Sequence, residues 1–418
     1  MSSKLVVNGG RKLVGNVELQ GAKNSVIPLL AGTIICSGES LIHNCPNITD
    51  VDACVKILRY IGATVSRHYH TIVVNCNGCT NYDIPEDFMR EMRGSIIFLG
   101  ALLSRFGEAK LFLPGGCELG PRPIDLHLGA LSKMGVKIIE RHGEIICTTP
   151  NGINGAKISL SLPSVGATEN IILAAVRAKG TTVITNAARE PEIVDLAEFL
   201  NKCGAKIYGA GEGTIVIDGV DKLNGTAHTV IPDRIVCATL MSAAAVTGSH
   251  ISVSGVIQSH IASVTPLFEE AGCNINFKDG VMDISAPSKL NAIKLVRTSA
   301  YPGFPTDSQA VLMSAMTVAK GNSLFVENIF ESRYKHVGEL FRMGANINVE
   351  GRVAIVDGVE SLSGASVDAF DLRGAAALVV AGLNAQGQTE INGINYLDRG
   401  YENLEETLSN LGADIYRS

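Results

Sequence analysis

An α/β fold assembled from six copies of one module is what this chain predicts, and three observations predict it. Six segments repeat a small residue, a glycine and a strand opening: IGATV around Gly62, MGVKI around Gly135, CGAKI around Gly204, AGCNI around Gly272, MGANI around Gly344 and LGADI around Gly412, spaced 68–73 residues apart. A second glycine precedes each of them, at Gly38, Gly107, Gly180, Gly248, Gly321 and Gly387, and a strand-like run such as TTVITNA or NSLFVEN follows it. Stretches with apolar residues at i, i+3 and i+4 alternate with short runs of period two, the signature of helices interleaved with strands. A period of roughly 70 residues exceeds a solenoid unit and suits a supersecondary module with two helices and several strands.

The first copy sets the pattern. An apolar helix, NSVIPLLAGTII, ends near Gly38, a short strand and turn follow, and a second helix, DVDACVKILRYI, is capped at Gly62 before the strands of TVSRHYHTIVVNC. Glycine at these junctions suits helix C-caps and turns. Residues 4–21 (KLVVNGGRKLVGNVELQG) read as a strand pair ahead of the first copy, and residues 222–232 (KLNGTAHTVIP) as the equivalent ahead of the fourth. Breaks therefore fall near residues 21 and 232, giving lobe I from residues 1–21 with 232–418 and lobe II from residues 22–231, three copies in each. Two pseudo-threefold lobes joined by a double linker make a cleft that can close on a ligand.

The net charge of −6 and pI near 5.9 argue against a nucleic-acid surface, while a local basic site for small anions remains open. MSSKLVVNGGRK lacks the apolar core and cleavage site of a secretory leader, and no run of 18 apolar residues suggests a membrane span, so a cytoplasmic protein is expected. The ten cysteines sit at irregular spacings, as reduced thiols do. Cys76 and Cys79 form one C-x-x-C without a second ligand pair, so no metal or other cofactor is expected. Oligomeric state stays open.

Polar residues recur where strands give way to helices: Lys23 and Asn24, Arg93, Ser164 and Gly166, Asp233 and Arg234, Asp307, and Arg373. A second set of junctions carries Cys117 with Arg122, Arg189, Arg333 and Arg399. Any one such cation alone reads as a solvated helix-end charge. Their recurrence within REMRGS, ESRYKH, DLRG and LDRGYE, in a chain only 18% charged, points to a ring of cations for a substrate with more than one anionic group.

GAKN (21–24), REMRGS (90–95), LPGGCELGPRPIDLHL (113–128), PSVGATEN (163–170), NAAREPEIVD (186–195), PDR (232–234), FPTDSQA (304–310), DLRGAAAL (371–378) and LDRGYE (397–402) resemble the UDP-N-acetylglucosamine 1-carboxyvinyltransferase family, the enolpyruvyl transferases of peptidoglycan synthesis. The resemblance covers essentially the whole chain, and the G-G-C-x-x-G-x-R-P loop is its most specific part. It implies an inside-out α/β barrel of two lobes, each of three βαβαββ repeats. It also implies transfer of the enolpyruvyl group of phosphoenolpyruvate to the 3′-hydroxyl of UDP-N-acetylglucosamine with release of phosphate, a step serving cell-wall biogenesis, cell shape and cell division. Those two small molecules would be the partners, with neither nucleic acid nor membrane involved.

By resemblance, Lys23, Arg122 and Arg399 would hold the phosphate of phosphoenolpyruvate, and Arg333 and Arg373 its carboxylate. Arg122, Pro123, Ile124, Asp125 and Leu126, with Pro163, Ser164 and Val165, would cradle the uridine and diphosphate, helped by Arg93 and flanked by Asn24. Asp307 would meet the sugar hydroxyl, Ile329 would add a backbone contact, and Cys117 would be the proton donor. Carbon C3 must gain a proton as C2 becomes electrophilic, and a thiol is protonated at neutral pH yet able to give its proton up. Asp307 suits the hydroxyl if desolvation makes it basic. Glu190 and Glu192 read as helix-start charges, and Arg67 as a surface charge.

The chain departs from the family in having Pro46-Asn47-Ile48-Thr49 without a lysine, Ile235-Val236-Cys237-Ala238-Thr239 after PDR, Leu162 where some members have lysine, and Ile97 where some have tryptophan. Two rivals share the cation set: an enolpyruvyl transferase acting on shikimate 3-phosphate, which does not rely on the loop cysteine, and a non-catalytic nucleotide-sugar-binding relative.

Overall fold

The glycines that mark the repeat do in the structure what their chemistry allows. In this computed structural model, which describes residues 4–115 and 124–418, all twelve have positive φ, from +60° at Gly248 to +108° at Gly204. Side chains with a Cβ rarely adopt that region, so glycine is what lets each helix stop and turn into a strand.

The described residues divide into two compact units. The N-terminal unit takes residues 21–115 and 124–231, and the C-terminal unit takes residues 4–20 and 232–418. Each has its own apolar core, one running from Ala22 to Val230 and the other from Leu5 to Ile415.

The C-terminal unit holds three four-stranded sheets. One orders Leu295–Arg297, Asn322–Val326, Val353–Asp357 and Asn346–Glu350, with the first pair parallel and the others antiparallel. The N-terminal unit repeats the order in Lys157–Ser159, Thr181–Thr185, Thr214–Asp218 and Lys206–Tyr208. Its three-stranded sheet, Glu108–Phe112, Glu144–Thr148 and Lys137–Arg141, has the missing parallel strand reduced to one bridge between Asp83 and Lys110.

The N-terminal residues correct the expectation of a strand pair. Leu5–Asn8 and Val14–Glu18 are strands, but they enter different sheets. Leu5–Asn8 lies between Gln388–Asn392 and Asp414–Arg417, supplying the final strand that the sixth copy lacks. Val14–Glu18 runs parallel to His250–Ser254 of the fourth copy. Reciprocally, Ala227–Thr229, which precedes the fourth copy's helix, runs parallel to Glu39–His43 of the first. Each unit is therefore completed by the strand that comes before the other unit's first helix.

The helix following each parallel strand is the buried one. All thirteen residues of Arg234–Val246 are buried, as are nine residues of Thr306–Met316 and eleven of Leu372–Asn384. These three pack on one another, and Phe98–Phe106 packs on both Lys23–Gly32 and Val165–Ala175. Helices apolar all round belong inside a core. At Gly100 the helices come so close that a Cβ would stand 2.3 Å from the Asn170 carbonyl oxygen. The charged site candidates Lys23, Asp307 and Arg373 stand in the first turns of these helices.

Candidate functional site

In the C-terminal unit the buried helices bring three predicted residues together. Asp307 is the second residue of Thr306–Met316, and Arg373 the second of Leu372–Asn384. Asp371 caps the latter helix by accepting from the backbone N–H of Arg373 and Gly374 at 2.9 and 3.0 Å. Asp307 Oδ1 accepts from Arg333 Nη2 at 2.9 Å and Oδ2 from Arg373 Nη2 at 3.1 Å. Arg333 also donates through Nε and Nη2 to the Thr306 carbonyl at 3.2 and 2.9 Å. Both arginines are buried, whereas the Asp307 side chain is 28% exposed. The condition set for Asp307 was desolvation, and its side chain keeps part of its surface open. It is a partly open carboxylate held by two buried guanidinium groups.

Arg373 lies over the Tyr401 ring at 5.5 Å, and the Tyr401 hydroxyl hydrogen-bonds Thr239 Oγ1 at 2.8 Å. Arg373 Nε and Nη1 are buried with no hydrogen-bond partner among the described residues. A buried N–H without an acceptor is costly, so these donors suit an anionic ligand. Arg399 ends the short helix Ile394–Arg399 and is half-buried. Ile329 is 39% exposed, and its N–H already donates to Glu327 Oε1 at 2.8 Å, so a backbone contact from it would fall to its carbonyl.

Sequence reasoning missed His336, though it stands in the ESRYKH motif chosen for its arginine. It is buried beside the Leu372–Asn384 helix, where a Cβ on Gly374 would stand 3.3 Å from its own. Burial, helped by Arg333 and opposed by Asp371, pushes the imidazole down to about 4, so it is neutral.

In the N-terminal unit Lys23 opens the helix Lys23–Gly32 and is buried. Its Nζ pairs at 2.8 Å with Asp50 Oδ2, in the first turn of Thr49–Tyr60. The sequence marked Lys23 as an anion binder and passed over Asp50, which looked like any helix-start acid. Ser164 caps Val165–Ala175 by accepting from Ala167 N–H at 3.3 Å, and Pro163, Ser164 and Val165 are half-buried. Asp125 begins Asp125–Lys133 and is exposed, Leu126 is half-buried, and Ile124 is packed in the core, so a ligand would meet the backbone of Ile124. Asn24 and Arg93 are half-buried at their helix starts.

His127 is the second missed residue. Its Nδ1 accepts from Asn170 Nδ2 at 2.7 Å, and Asn170 also bonds the Ile96 carbonyl and Gly100 N–H. Burial and then the Arg93 charge push His127 down to about 4. A Cβ on Gly166 would stand 3.1 Å from its ring, so the glycine of PSVGATEN makes room for it. Deeper still, Asp195 accepts from Ser25 Oγ and from His228 Nε2, tying the Lys23 helix to Pro191–Lys202.

Several expectations need correction. Glu190 and Glu192 do stand at the start of Pro191–Lys202, but they are buried, as is Glu169. Burial, with Glu192 and Glu190 nearby, pushes the Glu169 carboxyl well above its ordinary range. Arg189 is exposed, with Nε donating to the Gly211 carbonyl at 3.2 Å. Arg67 is no plain surface charge; it donates to the carbonyls of Pro46, Cys45 and Tyr69. Cys117, Arg122 and Pro123 lie outside the described residues. Among the described residues no group of three or more His, Cys, Asp or Glu is arranged to hold a metal ion, and no helix is long and apolar enough to cross a membrane.

Comparison with known proteins gives a consistent picture. The model of the EPSP synthase (3-phosphoshikimate 1-carboxyvinyltransferase) family matches residues 7–408. UDP-N-acetylglucosamine 1-carboxyvinyltransferase 2 of Caldanaerobacter subterraneus subsp. tengcongensis is 49% identical over 414 residues, 99% of either chain. UDP-N-acetylglucosamine 1-carboxyvinyltransferase 1 of Symbiobacterium thermophilum is also 49% identical, across 100% of this chain and 95% of its own. Among solved structures, the enolpyruvyl transferase NikO from Streptomyces tendae superposes with a TM-score of 0.89 at 26% identity, over 100% of this chain and 99% of that one. EPSP synthase from Acinetobacter baumannii, at 20% identity and full coverage of both chains, shares the fold with a TM-score of 0.74.

Proposed function

The chain belongs to the EPSP synthase family of enolpyruvyl transferases, and from that premise we propose that it is a UDP-N-acetylglucosamine 1-carboxyvinyltransferase of peptidoglycan synthesis. The observation that carries the reading is the Asp307–Arg333–Arg373 cluster, in a chain nearly half identical, end to end, to proteins of that name.

In this reading Arg333 and Arg373 take the carboxylate of phosphoenolpyruvate, while Lys23, Arg122 and Arg399 take its phosphate. The open donors of Arg373 give the carboxylate somewhere to bind without dismantling the existing hydrogen bonds. Asp307 accepts from the sugar 3′-hydroxyl as that oxygen adds to C2, and its two arginine partners keep the acceptor oriented. Cys117 delivers a proton to C3, and the tetrahedral adduct then collapses as C3 gives up a proton, the C2–C3 double bond re-forms and phosphate leaves against the cations. Pro163, Ser164 and Val165, with the 122–126 segment, Asn24 and Arg93, hold the nucleotide, and Ile329 offers a carbonyl to the sugar. In this reading the reaction runs in the cytoplasm.

Phosphate release tests the proposal. Phosphoenolpyruvate with UDP-N-acetylglucosamine should release phosphate, and phosphoenolpyruvate with shikimate 3-phosphate should not. Release with shikimate 3-phosphate alone would move the chain to the other branch of its family. Release with neither, alongside measurable nucleotide-sugar binding, would make it a binding relative.

A further inference from the structure

Apart from the residues assigned to the candidate site, the N-terminal unit holds four cysteines in one neighbourhood. Cys36, Cys76, Cys79 and Cys203 are all buried free thiols, and Arg105 ties their segments together by donating to the carbonyls of Ile34 and Cys76 at 2.9 and 2.6 Å. Their arrangement does not make a metal site among the described residues. Cys76 directly follows the strand Thr71–Asn75, and the Cys79 N–H returns to the Cys76 carbonyl at 3.0 Å, closing a four-residue turn. Such a turn holds its end Cα atoms within about 7 Å, which overlaps the span a disulfide bridges. Cys79, but not Cys76, lines a cavity of about 310 Å³ whose wall also carries Arg105, Arg177 and Lys222, with Asp221 as its acid. None of these three cations forms an ion pair among the described residues; Arg105 and Arg177 donate to backbone carbonyls instead.

We propose that Cys76 and Cys79 form a redox-active dithiol that exchanges with anionic low-molecular-weight disulfides admitted to this cationic cavity. Cys79 is the attacking sulfur and Cys76 the resolving one. The Cys79 thiolate attacks one sulfur of the disulfide, forming a mixed disulfide and releasing one thiolate. Cys76 gives up its proton and attacks the Cys79 sulfur, releasing the second thiolate and closing the Cys76–Cys79 bond. Two electrons pass from the protein dithiol to the small disulfide, which is reduced to two thiols. The division of roles follows the surroundings. The hydrogen bond from Cys76, supported by Arg105 and opposed by burial, holds the Cys79 thiol below its ordinary value, while the same contact and burial push Cys76 up. Cys147, Cys237 and Cys273, by contrast, are pushed up to about 12 by burial.

The full-length protein treated with glutathione disulfide, blocked with an alkylating agent and mapped by peptide mass spectrometry tests this. The expected product is a Cys76–Cys79 disulfide. Cys76→Ser should instead accumulate glutathione on Cys79, since no resolving thiol remains. Glutathione disulfide should react on the order of tenfold faster than the cationic disulfide cystamine at low salt, with the preference shrinking at high salt and in Lys222→Gln. Lys222 is exposed, so that variant leaves the core untouched. A Cys36–Cys203 disulfide in place of Cys76–Cys79, or modification confined to Cys117, would overturn the dithiol. A rate indifferent to the charge of the disulfide would overturn the cavity's part in it.

Discussion

The two units carry their candidate charges in different balance. In the C-terminal unit two buried arginines share one carboxylate, and Arg373 keeps open donors. In the N-terminal unit one lysine faces one aspartate at 2.8 Å, so that pair is neutral. A surplus of buried positive charge is costly unless an anion completes it, whereas a one-to-one pair is already compensated. In the proposed reading the open donors of Arg373 are where the C-terminal cluster would receive an anion, whereas Lys23 would meet a phosphate with Asp50 still beside it. The histidines show the same contrast. Both are neutral and stand near an arginine, but His127 has Asn170 on its Nδ1 while neither nitrogen of His336 has a partner among the described residues.

The largest expected effects break the comparison at its charged end. Arg373→Ala and Arg399→Ala should each lose about 2–4 kcal/mol of transition-state stabilisation in kcat/KM. Arg11→Ala, with its side chain 64% exposed, should match the parent and is a sounder control than Arg67. Equal kinetics for all three would sink the cation assignment. On the acid side, Cys117→Ser should lose most turnover, whereas Cys117→Asp should keep part of it while losing sensitivity to a phosphonate epoxide; full turnover in Cys117→Ser would remove the acid role.

Next comes the neutral pair. Asp50→Asn leaves the buried lysine without its carboxylate partner and should cost about 3 kcal/mol of unfolding free energy. A denaturation midpoint unchanged by that substitution would show that Lys23 does not depend on Asp50.

The pH dependence sharpens the comparison further. His127 and His336 have folded values near 4, below the ordinary 6.5, so the unfolded chain binds more protons between those limits. Their contribution is complete above 6.5 and lost as pH falls toward 4. Glu169 has the opposite sign: its folded value lies above 4.5, so its contribution is complete below 4.5 and lost as pH rises. Glu169→Gln should raise the Tm at neutral pH, with the gain vanishing below 4.5. A gain that persists there would assign the effect to packing. The smallest effect is expected from Ser164→Ala, which removes one helix cap and should cost about 1 kcal/mol by denaturation.

Much of this molecule was legible in one dimension because its signals are local. Glycine at a helix end needs positive φ, and a helix apolar on every face must be buried, so the six copies and their polar helix starts could be read residue by residue. Arg333, Asp307 and Arg373 were each visible in this way as a polar residue at a junction. Long-range pairing was not. Nothing in residues 4–21 says that Leu5–Asn8 completes the sixth copy and Val14–Glu18 the fourth, because a strand's partner is chosen by the sheet edge it meets. Nor does a lone aspartate announce its counter-ion: Asp50 looks like a helix-start acid until Lys23 is folded against it. Glu190 and Glu192 read as helix-start acids in the chain, and only the folded structure shows them buried, as Glu169 is. The chain alone determined the module, its count and the residues that carry charge. The tertiary structure decided which charges meet and how far water is kept from them, because both depend on distances between residues far apart in the chain.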